Sequence, residues 1–149
     1  MRIIIQRVAS AAVEVATNKV GSIAAGMLVL VGFCDADTAD DLDYITKKIT
    51  SLRIFNDAKG VPNLSILETK LALLLVSQFT LYATTSKGNR PSYIAAARPE
   101  VALNLYNQLI IKLNEALTYD IACGIFGSSM QVHLINDGPF TICIDSKNK

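Results

Sequence analysis

Residues 71–83 read Leu71-Ala72-Leu73-Leu74-Leu75-Val76-Ser77-Gln78-Phe79-Thr80-Leu81-Tyr82-Ala83. The apolar run from Leu71 to Val76 is too short for a core helix and has the length of a strand covered on both faces. Polar residues then alternate with apolar ones, so 71–83 is expected to form one long strand whose second half emerges from the core. On such a strand Ser77, Phe79 and Leu81 face one side, and Gln78, Thr80 and Tyr82 face the other. A strand buried on both faces needs neighbours, and the flanking sequence supplies them.

Upstream, the first 34 residues are rich in short β patterns: Arg2 to Ala9, an alternating Ala11-Val13-Val15 stretch, Lys19 to Ala25, and the apolar run Met27 to Phe33. The period changes at Thr38. Leu42, Ile45, Ile49 and Leu52 follow three-to-four spacing, and Asp40, Asp41 and Asp43 crowd the first turn, where the helix dipole favours anions. Asn56 to Gly60 is a turn. Downstream, Pro99 opens a second helix with a stripe of Val101, Ala102, Leu105, Leu109, Leu113 and Ala116, ending near Leu117. The tail returns to strands at Ile121–Phe126, Met130–Ile135 and Phe140–Asp145, the last two expected to form a hairpin about Asn136-Asp137-Gly138-Pro139. The sum is an α+β fold with mainly antiparallel sheet, in one domain spanning 1–149. The polar end Ser146-Lys147-Asn148-Lys149 is expected to fray.

A chain of 149 residues, 51% hydrophobic and 18% charged, can bury a sizeable core. No apolar run approaches the ~20 residues of a membrane-spanning helix, and Arg2 to Arg7 is too short for the apolar region of a secretory signal. The expected location is the cytoplasm. Cys34, Cys123 and Cys143 form no C-x-x-C pair and are expected to be reduced, mostly buried hydrophobes. A net charge of +1 gives no general footprint for a long duplex, so any RNA must be gripped locally.

The usual hydrolytic chemistry is missing. His133 is the single histidine and lies in an alternating strand pattern, expected on the outer face. There is no G-x-S-x-G elbow, no zinc-ligand spacing and no phosphate-binding glycine loop, so neither a metal nor an organic cofactor is implied. Catalysis would lean on positioning. In the 77–83 segment, backbone N–H groups of Phe79 and Thr80 at the strand end are suited to hold a developing oxyanion, with Thr80 orienting the ester. A threonine hydroxyl without an adjacent base is a poor nucleophile, which favours Thr80 as a positioner. Equally, polar residues stand wherever a buried strand emerges. Gly138-Pro139 has two readings as well: an ordinary hairpin turn, or a bond that is cis at modest cost and presents two carbonyl oxygens in similar directions, suited to an ammonium group.

Taken together, Ser77-Gln78-Phe79-Thr80-Leu81-Tyr82-Ala83 and Asn136-Asp137-Gly138-Pro139-Phe140-Thr141 resemble the paired signatures of the D-aminoacyl-tRNA deacylases. Gln6-Arg7-Val8, Arg53-Ile54-Phe55, the loop Ser86 to Tyr93 and Gly127-Ser128-Ser129-Met130 also resemble that family, so the likeness covers nearly the whole chain. It implies a barrel-like β core with two principal helices, and hydrolysis of the ester of D-aminoacyl-tRNA to free D-amino acid and tRNA, extending to glycyl-tRNA mischarged on tRNA(Ala). It also implies a homodimer in which a cis Gly138-Pro139 loop enters the partner's pocket and rejects L-aminoacyl groups, with Arg7 holding the loop. Ser77, Gln78, Phe79 and Thr80 would form the catalytic segment. Phe126 and Met130 would line the pocket for the terminal adenosine, and Lys87 and Arg90 suit phosphates at the acceptor end. Phe140 and Cys123 depart from the family pattern, where a smaller β-branched residue and Thr are common. An inward-pointing Phe140 would tighten the amino-acid pocket. Two other readings stay open: a trans-editing deacylase for small L-amino acids, and a non-catalytic tRNA-binding protein.

Overall fold

Strand β1 (Arg2–Val15) organises the molecule, and the computed structural model describes it with all of residues 1–149. Along one edge β1 pairs antiparallel first with β3 (Gly26–Gly32) and then with β2 (Asn18–Ile23). Along its other edge runs β8 (Gln131–Asp145), also antiparallel. The sheet continues from β3 to β6 (Ala72–Ser77) and from β6 to β7 (Ala122–Cys123), and both of these pairings are parallel. The sheet is therefore mixed, with its antiparallel part dominant. It curls until β2 meets β7: a Cβ added at Gly21 would lie 2.7 Å from the carbonyl oxygen of Cys123. The result is a nearly closed, barrel-like sheet. A two-stranded sheet, β4 (Phe55–Asn56) with β5 (Pro62–Leu64), lies apart.

Helix α1 (Ala39–Ser51) begins where Thr38 donates its backbone N–H and hydroxyl to the carboxylate of Asp41, at 2.8 and 3.1 Å. This closes the free end of the helix. A short α2 (Ile66–Thr69) is capped the same way by Ser65 and Glu68, and α3 (Pro99–Leu117) starts on Pro99. Leu42, Ile45 and Ile49 of α1 and Leu105, Leu109 and Leu113 of α3 are buried in the main core, with Leu73 and Leu75 of β6. Leu74 and Val76 enter a smaller cluster on the opposite face with Val8, Val13 and Leu28. Each such side chain stabilises the fold by about 1.5–3 kcal/mol. β6 is thus covered on both faces, as its composition predicts. Within α3, Ala116 is exposed, and Tyr106 and Leu117 take buried positions instead.

Several expectations are corrected. The two N-terminal strand segments are one strand, with a register shift between Val8 and Ser10 that interrupts the alternation and mimics a strand end. The strand expected over 71–83 stops at Ser77, and Phe79–Tyr82 form a 3-10 turn, so the alternating faces assigned to 78–82 do not exist. The region 121–126 keeps strand pairing only at Ala122 and Cys123. The hairpin about 136–139 is not one. Gln6 pairs with Thr141 and Val8 with Asn136, so two steps along β1 face five along β8, and the surplus residues loop out of a single long strand. The C-terminal residues are also tied down. Ser146 Oγ donates to Asp41 Oδ1 and Lys147 Nζ to Asp41 Oδ2, both at 2.6 Å, while Ser146 accepts from the Met1 ammonium, itself ion-paired to Asp37.

Candidate active site

The last ladder bond of β6 runs from Gln78 N to Val31 O at 2.7 Å, and there the chain turns. Leu81 N donates to Gln78 O and Ala83 N to Thr80 O, winding residues 79–82 into the 3-10 turn. Gly32 permits this turn to sit against β3, since a Cβ there would lie 2.8 Å from Gln78 O and 3.1 Å from Leu81 Cβ. The N–H groups of Phe79 and Thr80 head the turn and have no intrahelical acceptor. The strand-end donors read from the sequence are therefore present, on a turn instead of an extended strand. Gln78 Nε2 donates to Thr80 Oγ1 at 2.5 Å, which occupies a lone pair of that hydroxyl.

Ser77, Gln78 and Phe79 form one wall of a cleft of about 770 Å³, and Phe126 and Met130 form part of another. The structure thus brings five of the residues singled out from the sequence to one cavity. Phe126 follows β7 and leans on α3, its ring 5.7 Å from that of Tyr106, whose hydroxyl donates to Leu75 O at 3.0 Å. Met130 packs onto Gly124, where a Cβ would meet its sulfur at 2.5 Å. Tyr93, Ile94, Arg98 and Ser128 also line the cleft and were not singled out as cleft residues from the sequence. Tyr93 and Ser128 belong to quoted motifs, whereas Ile94 and Arg98 carried no signal beyond the approach of a helix start.

Thr80 does not line the cleft; it is half-buried and turned to Gln78. Burial pushes the Cys123 thiol up from its ordinary value, partly offset by the Tyr106 hydroxyl, which disfavours the thiolate that nucleophilic chemistry requires. His133 is exposed, 3.6 Å from Glu14, and outside the cleft. Cys143 is exposed, against expectation. No group of three or more His, Cys, Asp or Glu side chains is placed to hold a metal ion.

Arg7, Gly138 and Pro139 form a second constellation that does not line this cleft. Arg7 is only 7% exposed. Its Nε donates to Asp137 O and its Nη2 to Gly138 O, each at 3.1 Å, and Nη1 donates to Ile54 O at 2.7 Å and Asn56 Oδ1 at 3.2 Å. Asp137 adds an ion pair at 3.0 Å, and the ring of Phe140 lies 4.4 Å from the guanidinium carbon. Phe140 therefore covers Arg7 and does not project into the cleft. The Gly138–Pro139 peptide is cis, and both residues are exposed. Lys87 and Arg90 stand on an exposed loop closed by reciprocal Thr84–Ser92 bonds of 2.8 and 2.9 Å, with Gly88 at φ 71° near its tip.

A barrel-like α+β domain with a mainly apolar cleft, walled in part by a 3-10 turn and lined by no acid–base dyad, defines a class of protein suited to hold a ligand by shape. The D-Tyr-tRNA(Tyr) deacylase family model matches residues 4–145. A D-aminoacyl-tRNA deacylase of Cytophaga hutchinsonii is 56% identical over 146 residues, 98% of this chain and 97% of the relative. One from Bacteroides thetaiotaomicron is 52% identical over 149 residues, 100% of this chain and 99% of the relative. Among solved structures, the c-Myc DNA unwinding element binding protein superposes with a TM-score of 0.90 at 38% identity, covering 97% of this chain and 98% of that one. The chain belongs to the D-Tyr-tRNA(Tyr) deacylase family. No helix is long and apolar enough to cross a membrane.

Proposed function

We propose that this protein hydrolyses the ester of D-aminoacyl-tRNA to free D-amino acid and tRNA. The observation that carries the reading is the 3-10 turn at Phe79–Tyr82, whose first residue lines the cleft and whose two leading N–H groups, of Phe79 and Thr80, have no acceptor within the turn. A water adds to the ester carbonyl, and the carbonyl oxygen takes up negative charge against those donors. The tetrahedral species then collapses, breaking the bond to the ribose oxygen, which takes up the proton given off by the attacking water. An aminoacyl ester is already labile, so orientation and two donors suffice without a strong base. The neighbouring ribose hydroxyl assists the attack, so a substrate with hydrogen in its place is expected to bind and not turn over. Thr80 accepts from Gln78, which lines the cleft, and bears on the ester's position through that side chain. Phe126 and Met130 supply the apolar faces that adenine needs, and Lys87 and Arg90 take acceptor-end phosphates.

Chirality is read by the Gly138–Pro139 loop of a second copy. In its own chain the loop is exposed and stands outside the cleft, and a Cβ at Gly138 would meet nothing closer than 3.6 Å. The glycine is not required by its own fold, which fits a surface presented to a ligand in another subunit. The exposed β1–β2–β8 face offers the contact: Leu134 and Ile135 are exposed there, and Val132 lines both that face and the cleft. Because rejection acts through Cβ, glycyl-tRNA mischarged on tRNA(Ala) is a further substrate. The protein would work in the cytoplasm, where charged tRNA is found.

The test is hydrolysis of D-tyrosyl-tRNA and L-tyrosyl-tRNA side by side, with uncatalysed loss subtracted. Loss of the D form alone is the expected result. Loss of neither by folded protein would leave a tRNA-binding protein, and loss of both would leave a broader editing enzyme tolerant of L-amino acids.

A further inference from the structure

Residues 84–98 contain Lys87, Arg90 and Arg98 and no carboxylate, although the whole chain carries only +1. The rest of the molecule is therefore net acidic, and this segment is its cationic region. Arg98 is held by Asp35 and Glu100, at 3.5 and 3.8 Å, which leaves Lys87 and Arg90 as its uncompensated charges. Two residues of the same segment, Tyr93 and Ile94, form an apolar patch at the cleft mouth with Phe79 of the preceding turn. Ile94 is 95% exposed and belongs to neither core cluster; Phe79 is 58% and Tyr93 40% exposed. All three line the cleft. The Phe79 and Tyr93 rings meet edge to face, with centroids 5.2 Å apart and planes at 72°. In that arrangement the ring that offers its edge keeps both its faces free of its partner.

Flat apolar surface beside uncompensated cations matches an unstacked nucleobase and its phosphates better than it matches an apolar peptide. The patch is continuous with the cleft, and this inference rests on the reading of that cleft as the seat of the aminoacyl-adenosine. We propose that Tyr93 and Ile94, backed by Phe79, form a stacking platform for the base of the nucleotide that precedes the terminal adenosine, with Lys87 and Arg90 on its phosphates. The 3′ end is then held at two successive bases, one inside the cleft and one on its rim.

The test compares two uncharged RNA hairpins with a single-stranded ACCA 3′ end, one intact and one with an abasic ribose in place of the penultimate cytidine. The wild-type protein is expected to bind the abasic hairpin about tenfold more weakly, the scale of one base–aromatic stack. Tyr93→Ala should bind both hairpins alike, at the weakened level. Ile94→Ser, at a position with no packing to lose, should shrink the preference without altering the fold. Equal binding of the two hairpins by the wild type, or an undiminished preference in both variants, would overturn the platform. Hydrolysis of D-tyrosyl-adenosine by the wild type, measured in parallel, tests the deacylase reading by itself. An inactive wild type removes that reading, and the hairpins still decide the platform.

Discussion

Arg7 shows how much one side chain can settle. Its four hydrogen bonds join the 137–138 loop to Ile54 and Asn56, elements far apart in sequence. Replacing Arg7 with alanine removes the donor from three backbone carbonyl oxygens and from Asn56 Oδ1, so a loss of about 2–3 kcal/mol is expected in urea unfolding, in line with charge-assisted bonds. The functional signature is separate: Arg7→Ala should lower the ratio of D- to L-tyrosyl-tRNA hydrolysis more than it lowers D-tyrosyl-tRNA turnover. Thr80 calls for the opposite expectation. Since its oxygen already accepts from Gln78 at 2.5 Å, Thr80→Ser should keep activity within a few fold and Thr80→Val should lower kcat about tenfold to a hundredfold, the range of a lost positioning contact. A loss beyond a millionfold in Thr80→Ala single-turnover assays would instead mark a nucleophile.

At the scale of the element, the turn after β6 exists because Gly32 leaves space for it. Gly32→Ala puts a methyl 2.8 Å from Gln78 O, and backbone cannot yield as a side-chain tip does. The expected cost is about 1–3 kcal/mol of stability. Activity should also fall in folded protein at low temperature, because the two free N–H groups are displaced. A retained kcat would separate the turn from the chemistry. The same turn marks the limit of what the sequence reveals. Both long helices were legible, because their three-to-four apolar spacing and their starts at Thr38 and Pro99 are local signals. The burial of β6 on both faces was legible from its unbroken apolar run. Its end was not, since the space that allows the turn comes from Gly32 on another strand. Likewise Asn136-Asp137-Gly138-Pro139 is a strong local hairpin signal, overridden because β8 pairs with β1 on both sides of it. Five cleft residues were found from their motifs, whereas Ile94 and Arg98 are brought to the cleft by tertiary structure alone.

Across the whole molecule, α1 and the C-terminal residues meet at Asp41, and Met1 joins them through Ser146. Burial alone would raise the Asp41 carboxyl, but hydrogen bonds from Lys147, Ser146 and Thr38 outweigh it and hold the group well below the usual carboxylate range. Because the folded value lies below the unfolded one, the stabilisation is fully present above the unfolded value, near 4, and is lost as pH falls through the folded value. Asp41→Asn should therefore be less stable than wild type at pH 7 by about 1–3 kcal/mol, with the gap in melting temperature closing below about pH 4. A gap independent of pH would assign the loss to packing. Charge also sets a global expectation for RNA. With Lys87 and Arg90 as the main phosphate contacts, log affinity for tRNA should fall with log salt at a slope of about −1 to −2. A slope several times steeper would require a much wider cationic surface.

One consequence follows from the surplus residues in β8. This strand pairs with β1 along one side only, so its other side is a free edge fifteen residues long. A free edge of that length is a template on which foreign strands add and aggregates grow. The looped-out residues near Gly138 divide it into a paired run of six residues, Gln131–Asn136, and one of five, Thr141–Asp145. Neither run is half the length of the strand, so the full edge offers no unbroken row of donors and acceptors. The loop proposed to read chirality is thus expected also to guard the protein against fibril-like association, and excising 137–139, which costs stability through the lost Arg7 bonds, should show as turbidity on storage even in protein that is still folded.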